Sequence, residues 1–160
     1  MMDKQHPFYM SLERSIALAL QLENALAEET SAIERRDADL LQQVVAAKKG
    51  IVMRLEQETQ LQRQQVENSG QAFTPQGLDV FLTALDDSTR TLITQWNSLR
   101  QVIVRCDLMN KTNARLIERH RQRVATTIQL LRGDDGNGGV YTPKGQTTPI
   151  TVQRRTLSRA

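Results

Sequence analysis

The chain has a single cysteine, Cys106, in 160 residues, which excludes an internal disulfide and suits a reducing compartment. Its two histidines, His6 and His120, stand far apart, and no Cys/His cluster has metal-ligand spacing. No window approaches the roughly 18 apolar residues that a membrane span needs. The opening MMDKQHPFYMSLER lacks a hydrophobic run long enough for a signal peptide. These absences lead us to expect a cytoplasmic protein with no stable membrane insertion. Catalytic patterns are missing too. DDGNGG begins like a calcium loop but puts glycine at the third and fifth positions and Gly145 where the closing glutamate belongs, so it reads as a linker. GNGG lacks the lysine of a phosphate loop, there is no glycine–serine elbow, and the carboxylates fall on solvated helical faces or at caps. We expect no enzyme, no metal and no cofactor.

What the chain does have is leucine, glutamine and alanine in periodic runs, with aromatics at 4% and four prolines. That is the profile of a helical bundle or coiled coil. Charge is unevenly spread. Residues 1–70 carry 8 basic and 11 acidic side chains, residues 71–132 carry 9 and 5, and residues 133–160 carry 4 and 2. An acidic first half beside a basic second half suits antiparallel helices. Nucleic acid demands a more clustered basic surface, so we expect no nucleic-acid partner.

Phe8, Leu12, Ile16, Ala19, Leu22, Leu26 and Ile33 recur at steps of three, four or seven and mark one helical stripe over about 8–35. Asp37 is a plausible N-cap for a second helix over 38–69, with Leu41, Val44, Val45, Ile51, Val52 and Leu55 as its stripe and Gly70 as its stop. Thr74-Pro75 restarts a short helix over 75–86. Asp86-Asp87-Ser88 then caps a long one over 88–132, whose seam runs Leu92, Trp96, Leu99, Ile103, Cys106, Asn110, Asn113, Ile117, His120, Val124, Ile128 and Leu131. The fold class is therefore all-α, an elongated antiparallel three-helix, coiled-coil-like bundle with a short extra helix before the last long one. We place the bundle at 1–132 and a flexible partner-binding tail at 133–160, too poor in large apolar groups to offset ordering entropy. At 1.5 Å per residue the last helix is about 65 Å long against about 40–50 Å for the first two. That leaves apolar seam uncovered, as a docking surface or a homodimer seam. Asn110, Asn113 and His120 sit at inward positions, where a polar side chain either fixes register, as a buried Asn does in coiled coils, or lies on an incompletely covered groove and hydrogen-bonds a guest helix. Lys48 reads as a lysine snorkelling with its ammonium in water.

Three stretches carry a family resemblance. RRDADLLQQVVAAKKGIVMRLE pairs leucines after Arg-Asp and holds Lys48 mid-helix. DLMNKTNARLIE sets Asn110 and Asn113 three apart before Leu116-Ile117-Glu118. VYTPKGQTT presents Tyr141, Gly145 and Gln146. Together they resemble the FlgN family of flagellar type III export chaperones. The resemblance implies a chaperone that holds hook–filament junction proteins (FlgK and FlgL type clients) as monomers and hands them to the cytoplasmic domain of the export-gate protein FlhA. It implies no nucleotide and no metal. On it, Asn110, Asn113, Leu116, Ile117, Val124, Ile128 and Leu131 become the client-binding set, by helix-in-groove recognition. Tyr141, Gly145 and Gln146 become the gate-docking set. The readings left beside it are a homo-oligomeric coiled-coil adaptor and a nucleic-acid-binding helical protein using Arg115, Arg119, Arg121, Arg123 and the tail arginines.

Overall fold

The fold was obtained as a computed structural model, which describes residues 6–85 and 90–133 and the backbone of 139–141 and 147–149. Four helices follow in order: α1 (Pro7–Arg35), α2 (Ala38–Asn68), α3 (Pro75–Leu85) and α4 (Thr91–Leu131). Two compact units divide the chain, residues 1–116 and 117–160. The division falls within α4.

The helix ends explain the connections. His6 caps α1, its Nδ1 accepting the Phe8 amide at 3.1 Å, and Pro7 takes the first helical position, where no amide partner is needed. At the other end Arg36 turns left-handed (φ 57°), and the Arg36 and Asp37 amides donate to the carbonyls of Ile33 and Ala32. Asp37 then accepts the Leu40 amide at 3.1 Å and starts α2. Two residues thus reverse the chain. Gly70, at φ 89°, closes α2 as its sequence position leads one to expect. Thr74 caps α3 through the Gly77 amide. The cap expected at Asp86-Asp87-Ser88 lies outside the described residues, and α4 is described from Thr91.

In the first unit α2 runs antiparallel to α1, as the ladder Arg14–Glu58, Ser15–Gln62 and Glu29–Lys48 requires. The α4 chain runs parallel to α1: Glu23 meets Arg105, Ala19 meets Cys106, and Leu26 meets Asn113. The largest apolar side chains at the heart of the core are Phe8, Leu12, Leu26, Val66, Leu82 and Leu92, all but hidden from solvent. Each such side chain contributes about 1.5–3 kcal/mol on burial. One end is aromatic: the Phe8 ring meets Phe81 edge-on at 5.0 Å, Trp96 lies 6.3 Å from Phe8 and 6.4 Å from Phe73, and Arg63 sits over Phe73 at 5.4 Å.

In the second unit two short stretches of backbone pair within the tail. Strands β1 (Gly139–Tyr141) and β2 (Thr147–Pro149) are antiparallel, with Val140 opposite Thr148. Val, Tyr and Thr favour extended backbone, and Pro149 sits at a strand end, where a missing amide costs little. The remainder of 134–160 lies outside the described residues.

Candidate functional site

A chain of polar contacts joins three helices of the first unit. Glu29 falls on the α1 stripe, three residues after Leu26, so the periodicity that buries the leucines buries a carboxylate as well (1% exposed). Its charge is met from two sides. Lys48 of α2 donates to Oε2 at 2.8 Å, and the Asn113 side-chain amide of α4 donates to Oε1 at 3.0 Å. Asn113 also donates to the Leu26 carbonyl at 3.0 Å and accepts the Thr30 hydroxyl at 2.7 Å. Lys48 donates further to Asn110 Oδ1 at 3.1 Å. A buried carboxylate is tolerated when paired and hydrogen-bonded in this way, and the geometry then fixes how α1, α2 and α4 align.

A second polar layer lies nearer the aromatic end. Buried Gln62 donates to Ser11 and Ser15 at 3.1 and 2.9 Å, and the Ser11 hydroxyl donates to Glu58 at 2.7 Å. The Arg14 guanidinium hydrogen-bonds Glu58, and this bond, with smaller help from Ser11, holds the Glu58 carboxyl below its ordinary range against the opposing effect of burial. Both layers are satisfied within the fold. Neither presents a nucleophile to solvent, and among the described residues no His, Cys, Asp and Glu group is arranged to hold a metal ion.

Beside the first layer an open groove of about 370 Å³ is lined by Leu22, Leu26, Val52, Ile103 and Cys106, with Lys48 and Asn110 among its polar lining. Burial pushes the Cys106 thiol above its ordinary range, and the Glu23 carboxylate adds to this against Arg105. Cys106 is thus a small core side chain rather than an activated thiolate.

In the second unit the apolar periodicity of α4 continues while burial stops. Ile117 and His120 are half-buried, whereas Val124, Ile128 and Leu131 are 45%, 43% and 83% exposed. Spaced at i, i+7, i+11 and i+14, Ile117, Val124, Ile128 and Leu131 share one helical face.

The FlgN protein family matches residues 2–149. The chain belongs to the FlgN family. The crystal structure of a flagella synthesis protein FlgN from Pseudomonas aeruginosa is similar, at 25% identity and a TM-score of 0.66, over 72% of this chain and 90% of that one. No curated protein sequence matches the chain. FlgN membership places the chain among flagellar assembly chaperones, a family of chaperones rather than enzymes. No described helix of this FlgN-family chain is long and apolar enough to cross a membrane.

The residues singled out in the sequence separate into three places. Asn110 is exposed and bonded to Lys48; Asn113 is buried and fully engaged inside the bundle; Leu116 is half-buried at the end of the first unit. Ile117, Val124, Ile128 and Leu131 form the strip of the second unit. Tyr141 ends β1, and Gly145 and Gln146 lie outside the described residues. Lys48 departs from expectation: its ammonium does not reach for water but meets buried Glu29, because that carboxylate needs a counter-ion more than the ammonium needs hydration. Glu29 itself escaped the sequence reading. The signal was the seven-residue gap between Leu26 and Ile33, which Glu29 fills in register.

Proposed function

We propose that this FlgN-family protein is an export chaperone for hook–filament junction proteins of the FlgK and FlgL type. It binds their C-terminal helical segments, prevents premature polymerisation and delivers them to the cytoplasmic domain of FlhA. The observation that carries the reading is the α4 strip of Ile117, Val124, Ile128 and Leu131, exposed from Val124 onward. A client helix whose apolar face is buried only in the filament gains cover by laying anchors at i, i+3, i+4 and i+7 on that strip. Leu116 extends the strip at its start. Asn110 and Asn113 act upstream of it: Asn113 fixes α4 against α1, and Asn110 shares the Lys48 ammonium, so both set the register of the helix that receives the client.

Tyr141, Gly145 and Gln146 are assigned to gate docking. An aromatic on a short polar segment is a low-entropy anchor for a pocket on a second partner. The protein works in the cytoplasm, without cofactor, metal or nucleic acid.

The test measures two affinities by titration calorimetry on full-length protein. Val124→Asp/Ile128→Asp should weaken binding of a C-terminal client segment about 100-fold or more, two hot-spot anchors being lost, while leaving FlhA binding intact. Tyr141→Ala should do the reverse. Loss of both affinities in either variant would overturn the division of labour. Client binding untouched by the α4 substitutions would overturn the strip as the client site. Light scattering separates the adaptor reading, which requires a stable homodimer that persists when client is added.

A further inference from the structure

The polar side of the exposed α4 segment points to a ligand that the proposed function leaves unused. From Ile117 to Arg132 the chain carries four arginines, Arg119, Arg121, Arg123 and Arg132, against one acidic residue, Glu118. They are not evenly placed. Arg121 stands four residues after Ile117 and seven before Ile128, and Arg132 lies three turns further along the same line, so these two border the apolar strip. Arg119 and Arg123, one turn apart, project from the opposite face. Glu118 neutralises only Arg121, and loosely, at 3.8 Å with both side chains exposed. Among the described residues no other carboxylate is within ion-pair distance of these arginines. The threonines are already satisfied: Thr126 and Thr127 donate to the carbonyls of Gln122 and Arg123 at 2.9 Å, so covering this segment strands no hydroxyl.

We infer that residues 117–132 form a peripheral anchor for anionic lipid surfaces. Val124, Ile128 and Leu131 enter the headgroup–acyl boundary, and Arg121 and Arg132 reach sideways along their own methylene stems to lipid phosphates. Phosphate-rich nucleic acid would answer the charge but leave the apolar strip in water. A lipid surface answers both. No residue here crosses the bilayer, consistent with the absence of a spanning helix among the described residues. The site is the same strip assigned to clients, so the inference depends on that strip being uncovered but not on client binding.

The experiment is co-flotation of full-length protein with vesicles of phosphatidylcholine alone or of phosphatidylcholine with phosphatidylglycerol. Partitioning onto the mixed vesicles should exceed that onto the neutral ones by at least about 10-fold and fall with added salt. Arg121→Gln/Arg132→Gln should reduce it about 30-fold, each arginine near the surface contributing about 5-fold. Arg119→Gln/Arg123→Gln should reduce it less. Val124→Asp should abolish it while circular dichroism stays helical. Arg154→Gln/Arg155→Gln should leave it largely unchanged. Equal partitioning onto neutral vesicles, no partitioning at all, or loss only in the tail variant would each overturn the anchor. So would equal losses in the two α4 arginine pairs combined with salt-resistant binding to a DNA duplex, which would indicate nucleic acid. Client titration on the same variants distinguishes this failure from failure of the chaperone reading.

Discussion

The side-chain amide of Asn113 donates to Glu29 at 3.0 Å across 84 positions of sequence, and on its other side Glu29 takes the ammonium of Lys48. One carboxylate therefore ties the last long helix to the first two. Asn113→Ala removes both its amide bonds and leaves Glu29 with one partner. The variant should lose about 2–3 kcal/mol in urea unfolding. Lys48→Ala, which leaves the carboxylate without its counter-ion, should lose at least as much, whereas Glu29→Leu/Lys48→Met should recover most of the loss, because a well-packed apolar pair replaces a buried ion pair at little cost. Equal losses in the single and double variants would refute the pairing.

Glu58 gives the fold a sensitivity to acid. Its carboxyl is held below the ordinary value near 4.5, chiefly by the Arg14 hydrogen bond. A depressed folded value means the stabilisation is complete above the unfolded carboxyl's pKa and disappears as pH falls through the folded one. Arg14 is half exposed, so water screens the pair and the effect is at most about 1 kcal/mol. The stability difference between the parent and Glu58→Gln should be constant near neutrality and shrink on acidification below the ordinary carboxyl range. A difference unchanged down to acid pH would show that the charge contributes nothing.

Gly77 opens α3 where its α-carbon faces the backbone of Ala72. An added methyl would collide with the Ala72 carbonyl oxygen, a backbone atom that cannot swing aside. Gly77→Ala should therefore destabilise by about 1–3 kcal/mol despite the better helix propensity of alanine. Gly50, whose added methyl meets nothing within 4 Å, is the control, and Gly50→Ala should stabilise α2 by about 0.5–1 kcal/mol. Thermal melts of the two variants moving in the same direction would contradict this assignment.

Cys106 should be slow to label. It is buried, its sulfur lies 3.7 Å from the Ala19 carbonyl, and burial raises its thiol pKa. An aromatic disulfide reagent at mildly alkaline pH should react at least about 100-fold more slowly than with free cysteine, with the rate still climbing above the usual thiol range and released by urea. Rapid stoichiometric labelling of the native protein would show that α4 opens away from α1.

The helices were legible because capping and periodicity agreed. Asp37, Gly70 and Thr74-Pro75 each satisfy or end a helix by a local mechanism, so neighbours in sequence suffice to read them. The exposed strip was legible for a related reason, since α4 repeats apolar positions well past Asn113. Glu29 and the new role of Lys48 were not legible. Their partners come from other helices, and a glutamate in a stripe reads locally as an interruption until Asn113 is known to face it. Strands β1 and β2, three residues each in a Gly- and Pro-rich stretch, have no period by which a sequence could announce them.

Trp96 reports on a restricted neighbourhood. Its indole sits with Phe8, Phe73 and Phe81 at the aromatic end of the first unit, whereas Glu29 lies 21 positions along α1 from Phe8, about 30 Å at helical rise. Intrinsic fluorescence will therefore register melting of that end and stay silent while the Glu29–Lys48–Asn113 junction frays. A titration followed only by emission would underreport any ligand that acts there, and a fluorophore attached near Asn110 would detect it.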